Sequence, residues 1–221
     1  MALTGGRRKT ALVNRCFLIL FLTAALPAVL RAQAQFQPLP APQFNAGKSL
    51  WQTLQERQSR REFRTNTVPL QTLANVLWAG FGTNRTDGRR TAPSTMNAQV
   101  LDLYVVTAEG TTRYDAARHA LVPVVSGDLR GKTGGQDYVK SAPVAILLVA
   151  DLSRMDKARP EDRERYAAID AGCVTQNLYL ACAAEGLATV VHEMDRRELP
   201  GLLALKPEQR LMLAQSIGLP K

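Results

Sequence analysis

Hydrophobic residues recur at helical spacing in two segments of the chain, and each pattern predicts a helix with one apolar face. The first predicted helix covers residues 48–58, and its apolar positions are Leu50, Trp51 and Leu54. The second opens at Pro69, a residue common at helix starts, and Gly80 and Gly82 are expected to end it. Its apolar positions are Leu70, Leu73, Val76, Leu77 and Phe81.

Several later segments are predicted as β-strands or as short helices. The predicted strands cover residues 101–107, 113–122 (a candidate hairpin), 143–150, 188–192 and 211–217. The third is a continuous apolar run, which is typical of a central strand buried on both faces. Short helices broken by glycines are expected over 128–141, and one further helix over 196–203. Because helices and strands do not alternate regularly, this order favours an α+β domain over a βαβ fold.

A long helix is predicted over residues 166–185, and it is apolar around most of its circumference. Small residues such as Ala171, Gly172 and Ala181 would let neighbouring elements approach closely, and Gly186 ends the segment. A helix without a polar face is poorly suited to the surface of a monomer. We therefore expect it to pack against the sheet on one side and against a second chain on the other.

Cysteine and histidine usage argues against a disulfide and against a metal centre. Cys173 and Cys182 are nine residues apart on the long predicted helix, which places them about 13 Å apart on opposite faces. A disulfide needs Cα atoms within about 7 Å, so both are expected to be small core residues. His119 and His192 are far apart in sequence and lack a carboxylate–histidine motif, which disfavours a metal site.

The first 34 residues have the composition of an export signal. Basic residues precede an apolar run over 16–30, which matches a signal-peptide core and is short for a membrane span. The Ala-Gln-Ala sequence at 32–34 fits a cleavage site, so a periplasmic protein starting at Gln35 is expected; an uncleaved anchor is the alternative. Arg7-Arg8 leaves the twin-arginine route open beside the ordinary secretory route. Residues 35–47 contain three prolines and predict an extended tether to a domain over 48–221.

Removal of this leader changes what the charge of the chain implies. The leader carries five basic residues and no acid, so the formal net charge falls from +9 to +4. That charge is modest, and the basic and aromatic interleaving typical of nucleic-acid binding is absent from the sequence. We therefore expect no nucleic-acid partner, and no membrane span after cleavage.

Two polar segments carry the candidate chemistry. Arg57, Ser59, Arg60 and Arg61 supply three guanidinium groups and a hydroxyl at the end of the first helix, and guanidinium groups are well suited to bind a phosphate. The second segment, 92–99, joins small hydroxyl residues to the amides of Asn97 and Gln99, which suit the edge of a flat heteroaromatic ring. Together the segments suggest a phosphorylated, ring-bearing cofactor such as FMN.

In this order the segments resemble the nitroreductase family of flavoproteins, and most closely its small branch that includes the azoline (thiazole-forming) dehydrogenases. The resemblance covers residues 48–221. Two motifs carry it: Arg57-x-Ser59-x-Arg61-x-Phe63, and a Pro93-Ser94 turn followed by Asn97 and Gln99. It implies a mixed, mainly antiparallel sheet flanked by helices, and an intertwined homodimer with FMN at the subunit interface.

The resemblance also assigns roles to individual residues. Arg57 and Arg61 would hold the FMN phosphate and ribityl chain, with Gln58 and Ser59 beside them. Asn97 and Gln99 would serve the pyrimidine edge or the ribityl hydroxyls, with Pro93 and Ser94 lining the flavin from the partner subunit. Helix capping by Ser94 or Thr95 is a compatible alternative.

Two further regions are implicated by the same resemblance. A backbone N–H in the strand that ends in Val190, Val191, His192 and Glu193 would face flavin N5, and the His192 side chain is a weaker candidate donor to substrate. The chain departs from the family pattern at its end, where Lys221 is the remaining basic residue for the phosphate.

The function implied is FMN-dependent oxidoreduction by ping-pong hydride transfer through N5, to or from a nitro-, quinone-like or azoline-type compound. An exported protein meets little free NAD(P)H, so a quinol, a redox partner protein or the substrate itself would be the electron donor. The alternative is an inactive flavin-binding or scaffold protein of the same fold, which the missing C-terminal arm motivates. A hydrolase is disfavoured because no nucleophile elbow appears.

Overall fold

A seven-stranded sheet forms the frame of the computed structural model, which describes residues 1–2, 36–44 and 47–221. The strands are β1 (Gln37–Pro38), β2 (Leu101–Val106), β3 (Gly110–Asp115), β4 (Ala120–Ser126), β5 (Val144–Asp151), β6 (Ala188–His192) and β7 (Gln209–Gly218). Their spatial order is β1-β4-β3-β2-β5-β7-β6, and every neighbouring pair is antiparallel. The predicted α+β class and mainly antiparallel sheet are confirmed.

Within the described residues, five α-helices surround this sheet. They are α1 (Leu50–Glu56), α2 (Leu70–Phe81), α3 (Asp137–Ser141), α4 (Arg163–Ala184) and α5 (Leu199–Leu202). The helix predicted over 196–203 is shorter than expected, since only the four residues of α5 are helical. No helix in the described part of the chain is long and apolar enough to cross a membrane.

The apolar run over 143–150 forms the central strand β5, between β2 and β7, as its composition predicts. Alternate side chains of the sheet enter two separate core layers. Ile146 and Leu148 pack in the layer that contains residues of α2 and α4. Leu147 and Val149 pack on the opposite face, with Leu199 of α5. Helices therefore cover both faces of the central strand.

Gly80 has a different role from the one its position in the sequence indicates. It lies inside α2, and Gly82 alone caps the C-terminus of that helix. A Cβ added to Gly80 would lie 2.4 Å from Cδ2 of Leu178 in α4, which is far inside van der Waals contact. Gly80 is therefore the point at which α2 and α4 approach closely, and the expectation that it ends the helix is wrong.

Helix α1 exposes the residues that its sequence pattern assigned to a buried face. Its N-terminus is fixed by a capping box, in which Ser49 and Gln52 exchange side chain to backbone hydrogen bonds. Thr53 is its buried residue, whereas Leu50 is 58%, Trp51 78% and Leu54 44% exposed. The predicted apolar face exists, but within one subunit nothing covers it in the described part of the chain.

The predicted tether is extended, and its described residues dock onto the sheet. Gln37 and Pro38 form β1 against β4, and Leu39 is buried with its N–H donating to the His119 carbonyl at 3.0 Å. His119 Nε2 lies 2.9 Å from the Pro40 carbonyl. His119 therefore holds this segment, although the sequence indicated no role for it. The predicted leader, apart from residues 1–2, and residue 35 lie outside the described residues.

Candidate functional site

The arginine-rich segment after α1 runs along the outer edge of β6 and is anchored at both ends. The Arg57 N–H caps α1 by donating to the Thr53 carbonyl at 2.9 Å. The Arg60 N–H donates to the Thr189 carbonyl of β6, also at 2.9 Å. At the far end, the Phe63 side chain is almost completely buried. The backbone is therefore fixed while the intervening side chains remain accessible.

The arginines of this segment differ from most other described arginines in their ion pairing. Its four arginines form no ion pair with a carboxylate in the described part of the chain; they are Arg57, Arg60, Arg61 and Arg64. Ten other arginines are paired: Arg89, Arg113, Arg118, Arg130, Arg154, Arg159, Arg165, Arg196, Arg197 and Arg210. Guanidinium groups that are not paired with a carboxylate are available to bind a phosphate dianion.

The remaining predicted residues of the segment are exposed polar groups. Gln58 and Ser59 are both exposed. With its amide oxygen turned toward Arg60, Gln58 accepts a hydrogen bond from that guanidinium at 2.9 Å. Ser59 Oγ lies 2.9 Å from the hydroxyl of Tyr179. Gln58 therefore lies beside Arg60, and Ser59 lies beside Tyr179 of α4.

The end of β7 leads the chain back to this segment. Phe63 forms an antiparallel bridge with Pro220, and the Arg64 N–H donates to the Leu219 carbonyl at 2.9 Å. Lys221 directly follows this bridge and lies beside the arginine segment. The predicted role of Lys221 at the phosphate stays a prediction.

The second predicted segment forms a tight turn built from left-handed residues. Met96, Asn97 and Gln99 have φ angles of 55°, 53° and 46°, which is unusual for residues other than glycine. Ser94 precedes a 3-10 turn but does not cap it with its side chain. The Ser94 hydroxyl instead accepts from the Gln99 N–H at 2.8 Å. Capping by the Ser94 side chain is therefore wrong, and the Ser94 hydroxyl instead links the two ends of the turn.

Asp170 of α4 holds this turn and was missed in the sequence. Its side chain is buried and accepts from the Ser94 hydroxyl at 2.9 Å, the Thr95 N–H at 2.9 Å and the Thr95 hydroxyl at 2.8 Å. Such bonds to a carboxylate stabilise an otherwise strained backbone. The sequence did contain a signal, because Asp170 is the single charged residue in the apolar stretch 166–184.

The two predicted segments do not meet within one chain. The turn contacts α4 at Asp170, whereas Ser59 contacts α4 at Tyr179. Nine residues separate these contacts, so they lie about 13 Å apart on opposite faces of the helix. The two predicted segments therefore lie at different sides of α4.

Strand β6 presents backbone groups at the edge next to the arginine segment. The Thr189 carbonyl is paired with Arg60, and the Val191 N–H donates to the Tyr179 hydroxyl at 2.9 Å. Val190 points into the core, and Glu193 lies exposed beyond the strand, paired with Arg196. The Val191 N–H, predicted as a candidate donor to flavin N5, is thus already engaged within the chain.

The His192 side chain is structural in this arrangement. Its ring is buried, with Nε2 3.0 Å from Ser216 Oγ and Nδ1 3.1 Å from the Glu193 carbonyl. A neutral imidazole satisfies both contacts, because it donates through Nδ1 and accepts at Nε2. Burial lowers the pKa of His192, which stabilises this neutral form. The weak prediction that His192 donates to a substrate is not supported by this geometry.

The two histidines give the fold a pH dependence of defined sign. Burial lowers the pKa of both His119 and His192. Below about pH 6.5 these histidines are therefore protonated more readily in the unfolded chain than in the folded chain. This contribution to stability is therefore expected to be present above about pH 6.5 and to be lost as the pH falls below that value, with a slope of at most about 1.4 kcal/mol per pH unit for the buried His192. Urea denaturation across this range, with His192→Gln as the comparison, measures the effect. Equal slopes in both proteins would contradict a contribution from His192.

The cysteines are not part of the site. Cys173 and Cys182 are free thiols, as their spacing predicts. Burial raises the pKa of the Cys182 thiol to about 12, which keeps it protonated and unreactive. The described residues contain no group of three His, Cys, Asp or Glu side chains that could hold a metal ion.

Comparison with known proteins assigns this arrangement to a family. The sequence profile of the nitroreductase family matches residues 54–219, which include the arginine segment, the turn, α4 and β6. The chain belongs to the nitroreductase family. The family prediction is thereby confirmed, and membership supports a flavin-dependent oxidoreductase in general terms. The closer resemblance to azoline dehydrogenases stays a prediction.

Individual relatives show how far this similarity extends. A protein of Methanocaldococcus jannaschii named as a nitroreductase is 26% identical over 169 residues, which cover 72% of this chain and 85% of that protein. A crystal structure of a protein from Ralstonia eutropha JMP134, also described as a nitroreductase, is 38% identical with a TM-score of 0.80; the match covers 86% of this chain and 91% of that one.

A more distant structure, from Desulfovibrio desulfuricans, was determined in complex with FMN. It is 23% identical with a TM-score of 0.57, over 78% of this chain and 87% of that one. At this level of identity the similarity concerns the fold alone.

Proposed function

We propose that the protein is a homodimeric, FMN-dependent oxidoreductase that acts on a small organic substrate outside the cytoplasm. The observation that carries the proposal is the segment from Arg57 to Arg64, whose four arginines form no ion pair with a carboxylate in the described part of the chain. Family membership and the FMN-bound structure of D. desulfuricans support the choice of flavin.

The residues present fit FMN in both charge and hydrogen-bonding capacity. Arg57, Arg61 and Lys221 would neutralise the phosphate, and Ser59 would donate to it. Asn97, exposed at the tip of the turn, offers an amide to the ring edge or the ribityl chain. When bound, FMN would supply hydride transfer through N5, in two half-reactions that share one pocket. The protein would supply binding, orientation and a fixed electrostatic environment.

A dimer is proposed because one chain separates the two predicted segments. Two-fold symmetry would place the turn of one subunit beside the arginine segment of the other. The surface for such contact exists: α1 exposes Leu50 and Trp51, and neighbouring α4 exposes Ile169 (52%) and Gly172. A Cβ added to Gly172 would meet no atom within 4 Å, so this face of α4 is open to a close partner.

The location and the substrate class are inferred from the sequence. The signal-like composition of residues 1–34 supports export to the periplasm. Since NAD(P)H is scarce there, a quinol, a redox protein or the substrate itself is the proposed electron source. Nitro-, quinone-like and azoline-type compounds are the candidate substrates, since each accepts or yields a hydride equivalent.

The proposal is tested by the absorbance spectrum of the purified protein before and after addition of FMN. Bands of oxidised flavin that persist through desalting would support it, and bleaching by candidate donors would then identify the electron source. A colourless protein that does not retain FMN would refute it. Retained flavin that no donor and acceptor pair turns over would favour the scaffold alternative.

Replacing the two predicted phosphate ligands tests the assignment of the site. Arg57→Ala/Arg61→Ala removes hydrogen bonds to a charged group, each of which contributes about 1.5–3 kcal/mol. The Kd for FMN is therefore expected to rise at least about tenfold per guanidinium. Fluorescence quenching of added FMN measures this Kd.

A control with the same charge change separates local binding from general electrostatics. Arg118 and Arg159 are ion-paired and lie outside both polar segments. The Arg118→Ala/Arg159→Ala variant is expected to bind FMN like wild type. Equal affinities of the wild type and the Arg57/Arg61 variant would remove the basis for placing a phosphate at this segment.

A further inference from the structure

Tyr179 connects the arginine segment to strand β6. Its hydroxyl lies 2.9 Å from Ser59 Oγ and 2.9 Å from the Val191 N–H. The Arg57 guanidinium carbon lies 5.5 Å from the centre of its ring, in cation–π contact. One side chain of α4 thus touches the arginine segment and β6.

The hydrogen bonds of Tyr179 have a direction. A backbone N–H can only donate, so the Tyr179 oxygen accepts from Val191. The phenolic hydrogen is then available to Ser59 Oγ, the other polar atom that the structure places within hydrogen-bond distance. If Ser59 accepts this hydrogen, its own hydroxyl hydrogen is free to point away from Tyr179, toward the face where the unpaired guanidinium groups lie.

We propose that Tyr179 is a positioning residue that orients the Ser59 hydroxyl as a donor to the phosphate group of the bound ligand. The inference rests on the proposed function, since it assigns the arginine segment to a phosphate. The Val191 N–H fixes the Tyr179 oxygen, Tyr179 donates to Ser59, and Ser59 donates to the anion. An anionic acceptor favours this order, because a hydrogen bond to a charged oxygen is stronger than one to a neutral phenol.

This arrangement distinguishes Tyr179 from a residue that only packs. The ring is half-buried, and its hydroxyl has two protein partners without a ligand. A purely structural hydroxyl would influence every ligand of the site equally. A hydroxyl that orients Ser59 toward phosphate would influence only ligands that carry a phosphate.

The test compares FMN with riboflavin, which lacks the phosphate. In the full-length Tyr179→Phe variant, the Kd for FMN is expected to rise about tenfold, the effect of one lost hydrogen bond to a charged group. The Kd for riboflavin is expected to stay unchanged. In a Ser59→Ala background, Tyr179→Phe is expected to have no further effect on the Kd for FMN, since the serine hydroxyl that Tyr179 orients is then absent. Fluorescence titration provides each of these affinities.

Tyr166→Phe is the matched control, because Tyr166 lies on the same helix, near its N-terminus. It should leave both affinities unchanged. Equal loss of FMN and riboflavin affinity in Tyr179→Phe, or additive effects with Ser59→Ala, would overturn the positioning role. A wild-type protein that binds neither flavin would instead refute the proposed function, and this inference with it. If the wild type binds riboflavin normally and Arg57→Ala/Arg61→Ala weakens FMN binding, the proposed function holds even when the positioning role of Tyr179 is refuted.

Discussion

Coexpression of two flavin-deficient variants is expected to restore about a quarter of the wild-type flavin-binding capacity. One variant, Arg57→Ala/Arg61→Ala, lacks the phosphate donors, and the other, Asp170→Ala, releases the turn that carries Asn97. In a two-fold symmetric dimer each site takes the arginine segment from one chain and the turn from the other. A heterodimer of these variants therefore contains one intact site and one doubly defective site. Random mixing makes about half of the dimers heterodimers, and about half of their sites are intact.

The Asp170 variant is expected to lose flavin through its effect on the turn. Removing the carboxylate leaves the Thr95 N–H and the Ser94 and Thr95 hydroxyls without their acceptor, at a cost of about 1–3 kcal/mol for each group that stays buried. The left-handed backbone of the turn then loses its support from α4, and Asn97 loses its position. Circular dichroism checks that α4 remains folded.

A milder variant guards against misfolding of the Asp170 protein. Asn97→Gly removes the amide, and glycine tolerates the φ angle of 53° at this position. Flavin retained after desalting is measured for each variant alone and for a coexpressed pair with different affinity tags. Tagged heterodimers that form but bind no flavin would show that the site is not shared between subunits.

Much of the fold could be predicted because its signals are local. The apolar run that forms β5 and the five residues of β6 were predicted almost to the residue, since length and bounding residues define them. The arginine segment was also recognisable, because three guanidinium groups in five residues need no tertiary context to suggest an anion.

The rest depends on contacts between distant parts of the chain. Asp170 lies 75 residues from Thr95, and Tyr179 lies 120 residues from Ser59. No spacing rule connects residues so far apart. His192 illustrates the same limit: its place on β6 was predicted, but its burial against Ser216 depends on how β6 pairs with β7. Sequence patterns thus identified which segments carry chemistry, and the fold decided which side chains support them.

The apolar face of helix α1 was predicted correctly, but the surface that buries this face was not identified. The apolar spacing of Leu50, Trp51 and Leu54 does mark a face for burial, but one subunit leaves that face exposed. Periodicity indicates that one face of a helix is apolar, but it does not indicate which molecule buries that face. The proposed second copy of the chain would cover this face and bring the two separated segments together.

The double variant Trp51→Glu/Leu54→Glu is therefore expected to be a folded monomer that binds no flavin. Both side chains are exposed within one subunit, at 78% and 44%, so the fold of the subunit should tolerate the change. In the dimer, each replacement loses about 1.5–3 kcal/mol of apolar burial, and an unpaired buried carboxylate costs several kcal/mol more. Sedimentation velocity should show the monomer, while circular dichroism should match wild type.

Loss of flavin in this monomer would follow from geometry, because Arg57 and Arg61 remain intact while the turn of the partner is gone. The matched control, Val124→Glu/Leu202→Glu, places two glutamates at exposed apolar positions of β4 and α5. It should remain dimeric and retain FMN. A Trp51/Leu54 variant that stays dimeric would place the interface elsewhere, whereas a monomer with full FMN affinity would mean that each subunit holds the cofactor with its own residues. The second outcome would also require the turn at Asp170 to serve a purpose other than completing the site of a neighbour.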